Sequence, residues 1–180
     1  MRPWFASAVV YTLDVQTFQD GDGDGRGDLQ GLARRLDYLL GLGVNCLWLL
    51  PIHPTPDRDD GYDVTDHYAV DRRLGTFGDL VAVLREADAR GIRVLLDLVV
   101  NHTSVDHRWF QAARHDRDAP TRRYYVWTDD PAGENAERGA AARPVFPGAE
   151  DSVWERDETA EYMVLSAPNT APTAMMPPTM

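Results

Sequence analysis

Lysine is missing altogether from these 180 residues, and cysteine occurs once, at Cys46. The first absence excludes Schiff-base chemistry and a phosphate-binding P-loop lysine. The second excludes an intrachain disulfide and a thiolate metal cluster. No apolar run approaches the ~20 residues needed to cross a bilayer. The apolar stretch Trp4–Leu13 behind Arg2 is interrupted by Ser7, Tyr11 and Thr12, and no small-residue cleavage site follows it. Ala8–Leu13 therefore reads as a buried strand and the protein as cytoplasmic. Positive charge is scarce: 18 arginines face 29 acidic residues, a formal net charge of −11. That balance lacks the basic footprint of a nucleic-acid binder.

What is present is enough apolar side chain, 43% of the residues, to build a core and to make wholesale disorder untenable. The pattern alternates strands and helices. Val44–Leu50 and Val94–Val100 are short, nearly continuous apolar runs, as expected of parallel strands buried on both faces. Leu32, Leu36, Leu39 and Leu40 form one helical stripe, with Asp28 as its cap and Gly41 and Gly43 as its stop. Leu80, Val83, Leu84 and Ala87 form a second stripe, with Asp79 as the expected cap and Gly91 as the stop, and a third helix is expected near Asp106–Arg114. The order β-α-β-α-β-α predicts an α/β fold with parallel strands. From Tyr162 to Met180 there is no charged residue and no glycine, but four prolines, so that segment predicts an unstructured tail.

Three motifs carry chemistry. Asp20-Gly-Asp-Gly-Asp-Gly-Arg-Gly-Asp28 spaces carboxylates so that short side chains on a glycine-permitted coil can converge on a hard cation. An EF-hand needs Glu at the twelfth position, which here is Gly31, so this is a calcium loop of another type or a flexible acidic turn. Asp97 interrupts the most apolar strand, sharing a face with Leu95, Val99 and Asn101, and a carboxylate buried there needs a cationic partner. Asp59-Asp60-Gly61-Tyr62-Asp63 follows the second strand. It combines carboxylates that bind sugar hydroxyls with a ring on which a pyranose can stack; a solvated acidic loop is the alternative.

In this order the motifs resemble the α-amylase family of glycoside hydrolases and transglucosidases, in its oligo-1,6-glucosidase and trehalose-synthase-like branch. The resemblance rests on VVYTLDVQTFQDGDGDGRGDLQGL, LDYLLGLGVNCLWLLPI, DDGYDVTDHYAV, LGTFGDL and DLVVNHTS, and runs from about Trp4 to Tyr162. It implies a partial (β/α)8 TIM barrel: three β/α units in 1–115, the start of the small insertion after the third strand in 116–161, and an atypical tail in 162–180. Val145–Trp154 resembles that insertion in the trehalose-synthase group. The resemblance implies Ca2+ held by Asp20, Asp22, Asp24, the Arg26 carbonyl and Asp28, with Asn101 matching a second calcium ligand in many amylases. It implies that Asp59 holds a terminal glucose, that Tyr62 stacks beneath it, that His102 bonds the sugar, and that Asp97 pairs with an arginine near the nucleophile.

The resemblance also implies a retaining reaction on α-linked glucosides such as maltose, trehalose or short malto-oligosaccharides, and a place in carbohydrate metabolism. Such a reaction needs two carboxyl groups ~5–5.5 Å apart. The family's nucleophile Asp and acid Glu follow later strands and have no counterpart here, so the expectation is an N-terminal fragment, inactive by itself. The alternative is a catalytically inactive calcium- or sugar-binding remnant.

Overall fold

The computed structural model describes residues 2–133, 153–160, 162–165 and 173–175. The chain divides into two compact units, one of residues 1–54 with 67–98 and the other of 55–66 with 99–180.

In the first unit a short 3-10 turn, Trp4–Ser7, precedes β1 (Val10–Leu13) and the single-turn helix α1 (Val15–Phe18). Then follow α2 (Leu29–Gly41), β2 (Cys46–Leu49), α3 (Phe77–Ala89) and β3 (Arg93–Leu96). The strands make a parallel sheet in the order β1-β2-β3, with Val10 opposite Cys46 and Cys46 opposite Arg93. A helix between successive strands lets each run in the same direction as the last. Leu32, Leu36 and Leu39 of α2 are fully buried, as are Val83 and Ala87 of α3, and they pack with Leu13, Leu47 and Leu49 of the sheet. Leu40 and Leu84 lie at the margins of their stripes and are exposed.

The helix ends follow local chemistry. Asp28 caps α2 as expected, its Oδ1 accepting from the Gly31 amide at 2.6 Å. The expected Asp79 cap of α3 is corrected by one turn. Thr76 is the cap, and Asp79 is its reciprocal partner in a capping box, because only a residue with extended backbone can sit at the cap itself.

The expectation of strands buried on both faces also needs correction. Side chains alternate, so the face opposite Leu13, Leu47 and Leu49 carries Val10, Trp48 and Leu95, and these three are exposed. The third strand is shorter than the apolar run that suggested it. It stops at Leu96, and Asp97 follows it half-buried, with its amide donating to the Leu49 carbonyl at 3.1 Å.

The second unit contains β4 (His102–Ser104), α4 (Arg108–His115), a 3-10 turn (Pro120–Tyr124), β5 (Trp127–Thr128), β6 (Trp154–Asp157), β7 (Tyr162–Leu165) and β8 (Thr173–Met175). β4 pairs antiparallel with β8, and β5, β7 and β6 form an antiparallel sheet in that order. The core is aromatic: Phe110 stacks on Trp127 at 5.6 Å and meets the Tyr125 ring edge-on at 5.1 Å. Arg122 lies over the Trp127 ring at 3.7 Å.

One expectation changes here. The segment beginning at Tyr162 contains two short strands rather than an unstructured tail, because β7 pairs with its sequence neighbour β6 and with the remote β5, and β8 with the remote β4. Within this unit residues 55–66 join β4 through Ser104 N donating to Val64 O at 2.9 Å. Residues 145–152 of the insertion-like stretch lie outside the described residues. Among the described residues no helix is long and apolar enough to cross a membrane.

Candidate active-site and metal-binding loops

The acidic loop between α1 and α2 is organised by its own carboxylates. Asp20 Oδ1 accepts from the Asp22 and Gly23 amides at 3.1 and 2.6 Å, and Oδ2 from the Gly25 amide at 2.8 Å. The amides of Gly23 and Gly25 are the largest influences holding the Asp20 carboxyl below its ordinary value. Both glycines have φ near +90°, a left-handed conformation that side chains disfavour, and this is what turns the chain back on Asp20. Asp28 closes the loop, Oδ2 accepting from Gly21 and Asp22 amides at 2.9 and 3.2 Å. Arg34 donates to the Gly21 carbonyl at 2.6 Å.

One carboxylate oxygen from each of Asp20, Asp22 and Asp28 lies within 4.8 Å of the others. Asp24 is not drawn into this set; its Oδ1 accepts from the Arg26 amide at 2.8 Å. Converging all-oxygen donors fit a hard divalent cation and not a soft one.

The second loop, in the other unit, brings Asp59, Tyr62 and His102 together. The Tyr62 amide donates to the Asp59 carbonyl at 2.8 Å. His102 Nε2 lies 3.1 Å from the Tyr62 carbonyl and Nδ1 lies 3.3 Å from the Asn101 amide nitrogen. A carbonyl only accepts, so Nε2 donates to the Tyr62 carbonyl. Partial burial raises the Asp59 carboxyl above its ordinary value; the charge of His102 pulls it down, while Asp63 and Asp60 add to the rise. A carboxylate and a ring on one short loop, beside an oriented imidazole, can hold the hydroxyls and the apolar face of one hexose.

The structure thus brings together Asp20, Asp22 and Asp28, and separately Asp59, Tyr62, Asn101 and His102. Asp97 belongs to the first unit, and its expected burial inside a strand is not found. Sequence reasoning missed Asp63 as more than part of a motif. It is fully buried, accepting from the Thr55 hydroxyl and, at 3.2 Å, from the Arg58 amide. The available signal was a carboxylate directly after Tyr62, facing a loop with a hydroxyl eight residues back. His107 was also missed: it is buried and caps α4, Nδ1 accepting from the Trp109 amide at 3.0 Å. Histidine is an uncommon cap, so no sequence rule pointed to it.

Residues 12–173 match the alpha-amylase catalytic domain. The chain is 48% identical to the trehalose synthase/amylase of Mycobacterium tuberculosis over 154 residues, covering 86% of this chain and 25% of that protein. It is 43% identical to the oligo-1,6-glucosidase of Heyndrickxia coagulans over 160 residues, covering 88% of this chain and 28% of that protein. The chain therefore spans about a quarter of the length of the curated relatives it matches. Among solved structures, the trehalulose synthase of Pseudomonas mesoacidophila superposes with a TM-score of 0.84 at 34% identity, over 98% of this chain and 30% of that one. With a match of that extent and relatives of that identity, the chain belongs to the alpha-amylase catalytic-domain family.

Proposed function

We propose that this chain is the glucose-holding N-terminal part of the catalytic barrel of a retaining enzyme acting on α-glucosides, of trehalose-synthase or oligo-1,6-glucosidase type. The observation that carries the reading is the grouping of Asp59, Tyr62 and His102 on the 55–66 and β4 segments. The relatives' names, trehalose synthase and oligo-1,6-glucosidase, and a glucose complex of a trehalulose synthase variant support an α-linked glucoside as ligand. In this reading Asp59 accepts from two sugar hydroxyls, Tyr62 supplies the stacking face, and His102 orients the ring at the cleavage position. Asp97, just past β3, would be the carboxylate that pairs with an arginine of the intact barrel.

Calcium is part of the same proposal. Asp20, Asp22 and Asp28 would hold it, with Asp24 and the Arg26 carbonyl completing the shell; Asn101, grouped with His102 in the other unit, would serve a separate ion. When bound, the ion would neutralise the loop and stiffen the start of α2.

The test is calorimetric titration of maltose and of trehalose into the 180-residue chain, alongside an assay for released glucose. Binding that falls at least tenfold in Asp59→Ala and in His102→Ala supports the assignment. Unchanged affinity in both variants overturns it. Glucose release separates an active enzyme from an inactive sugar-binding remnant.

A further inference from the structure

The loop that carries Asp59 and Tyr62 has two parts. Asp60 and Gly61, with φ of +47° and +93°, are the Asp-Gly pair that a tight turn favours, closed by the Tyr62 amide donating to the Asp59 carbonyl at 2.8 Å. Asp57 also has a positive φ, +63°, in the approach to that turn. What fixes the approach is a group outside the turn itself.

The holding group is visible. Asp63 is fully buried, yet its two carboxylate oxygens are used on two different parts of the loop: Oδ1 accepts from the Thr55 hydroxyl and Oδ2 from the Arg58 amide at 3.2 Å. Thr55 Oγ1 in turn accepts from the Asp57 amide at 2.8 Å. Asp63 thus fixes, directly or through Thr55, the amides of Asp57 and Arg58, which lead into the Asp59–Tyr62 turn. On the far side, the Val64 carbonyl is pinned by the Ser104 amide at 2.9 Å. The Arg58–Asp106 ion pair at 3.0 Å is half-exposed at both ends and contributes little to this closure.

Resting on the reading of Asp59 and Tyr62 as glucose-holding groups, we propose that Asp63 is the positioning residue that sets the 55–62 loop in its ligand-ready shape. It touches no sugar itself. A buried carboxylate is costly unless hydrogen-bonded, so its retention here, with donors drawn from the loop, selects the closed turn over the relaxed one. Preorganising the loop removes the ordering cost that a ligand would otherwise carry.

The experiment uses the full chain and four variants, Asp63→Ala, Asp63→Asn, Thr55→Val and Asp59→Ala. Amide hydrogen exchange is followed at Asp57, Arg58 and Tyr62, and methyl α-D-glucopyranoside is the binding probe. Asp63→Ala and Thr55→Val are expected to speed exchange at these amides at least tenfold, with α4 amides unchanged. Both should weaken the glucoside at least tenfold, with Asp63→Asn intermediate because its remaining oxygen still accepts. Unchanged exchange at Arg58 and Tyr62 in both Asp63→Ala and Thr55→Val overturns the positioning role, whatever the affinity. If the unaltered chain does not bind the probe, or Asp59→Ala binds it equally well, the sugar-holding reading falls instead. Exchange still decides whether Asp63 shapes the loop.

Discussion

The Asp28 carboxylate accepts the Gly21 amide at 2.9 Å through one oxygen while capping α2 through the Gly31 amide at 2.6 Å with the other. One side chain therefore couples the closure of the acidic loop to the start of a buried helix. Asp28→Ala should cost about 1–2 kcal/mol, the usual range for a lost cap. Asp28→Ser should recover most of that, since a hydroxyl can still cap, yet leave calcium binding weak. Calcium at a hundredfold excess over its Kd should stabilise the unaltered chain by about 2.7 kcal/mol. Urea denaturation with and without calcium checks all three. A Ser variant as calcium-responsive as the original would contradict the shared role.

Two glycines of α2 should respond oppositely to alanine. A Cβ on Gly31 would lie 1.9 Å from the Gln19 carbonyl oxygen, whereas one on Gly41 meets nothing within 4 Å. Gly31→Ala should destabilise by about 1–3 kcal/mol or more, as overpacking against backbone does. Gly41→Ala should stabilise by up to about 1 kcal/mol, because glycine is the poorer helix former. Thermal melts of the two variants give the comparison directly.

The capping box of α3 should leave a mark at acid pH. Asp79 Oδ2 accepts from the Thr76 hydroxyl at 2.6 Å and the Thr76 amide at 2.8 Å, and these bonds hold its carboxyl below the ordinary value of 3.8. A depressed native value means that the unfolded chain takes up the proton first as pH falls. The stabilisation is therefore complete above the unfolded value and is lost as pH drops through the native one. At pH 6 Asp79→Asn should be less stable by no more than about 1 kcal/mol, since the group is exposed. That difference should vanish near pH 2. A gap between the two proteins that persists unchanged to pH 2 would refute the assignment.

Association should follow from the sheet. β1 and β3 are its outer strands, and Val10, Trp48 and Leu95 lie exposed on one face. Unpaired edges with apolar side chains invite pairing between chains. Size-exclusion chromatography should show concentration-dependent self-association, and Leu95→Lys should reduce it with less than about 1 kcal/mol lost, as at other exposed positions.

What could be read in the sequence was local. The stripe of Leu32, Leu36 and Leu39, the Asp28 cap and the alternation of strands with helices each depend on neighbours a few residues away. Asp20, Asp22 and Asp28 converge because their spacing and glycines allow it. What escaped was set by partners remote in the chain. β7 and β8 lack any periodicity of their own and exist through pairing with the remote β5 and β4, β7 also closing a hairpin with β6. The exposure of Trp48 and Leu95 depends on what covers the sheet, which apolarity alone does not encode. Asp63 looked like any loop carboxylate until its burial against Thr55 and Arg58 gave it a task.

The most direct measurement of the central claim, that the 55–66 and β4 segments hold an α-linked glucose, is an NMR titration of the isotope-labelled chain with maltose and with its β-linked isomer cellobiose. Shifts concentrated at Asp59, Tyr62 and His102 with maltose, and at least tenfold weaker binding of cellobiose, are expected. Shifts elsewhere, or equal response to both disaccharides, would contradict it.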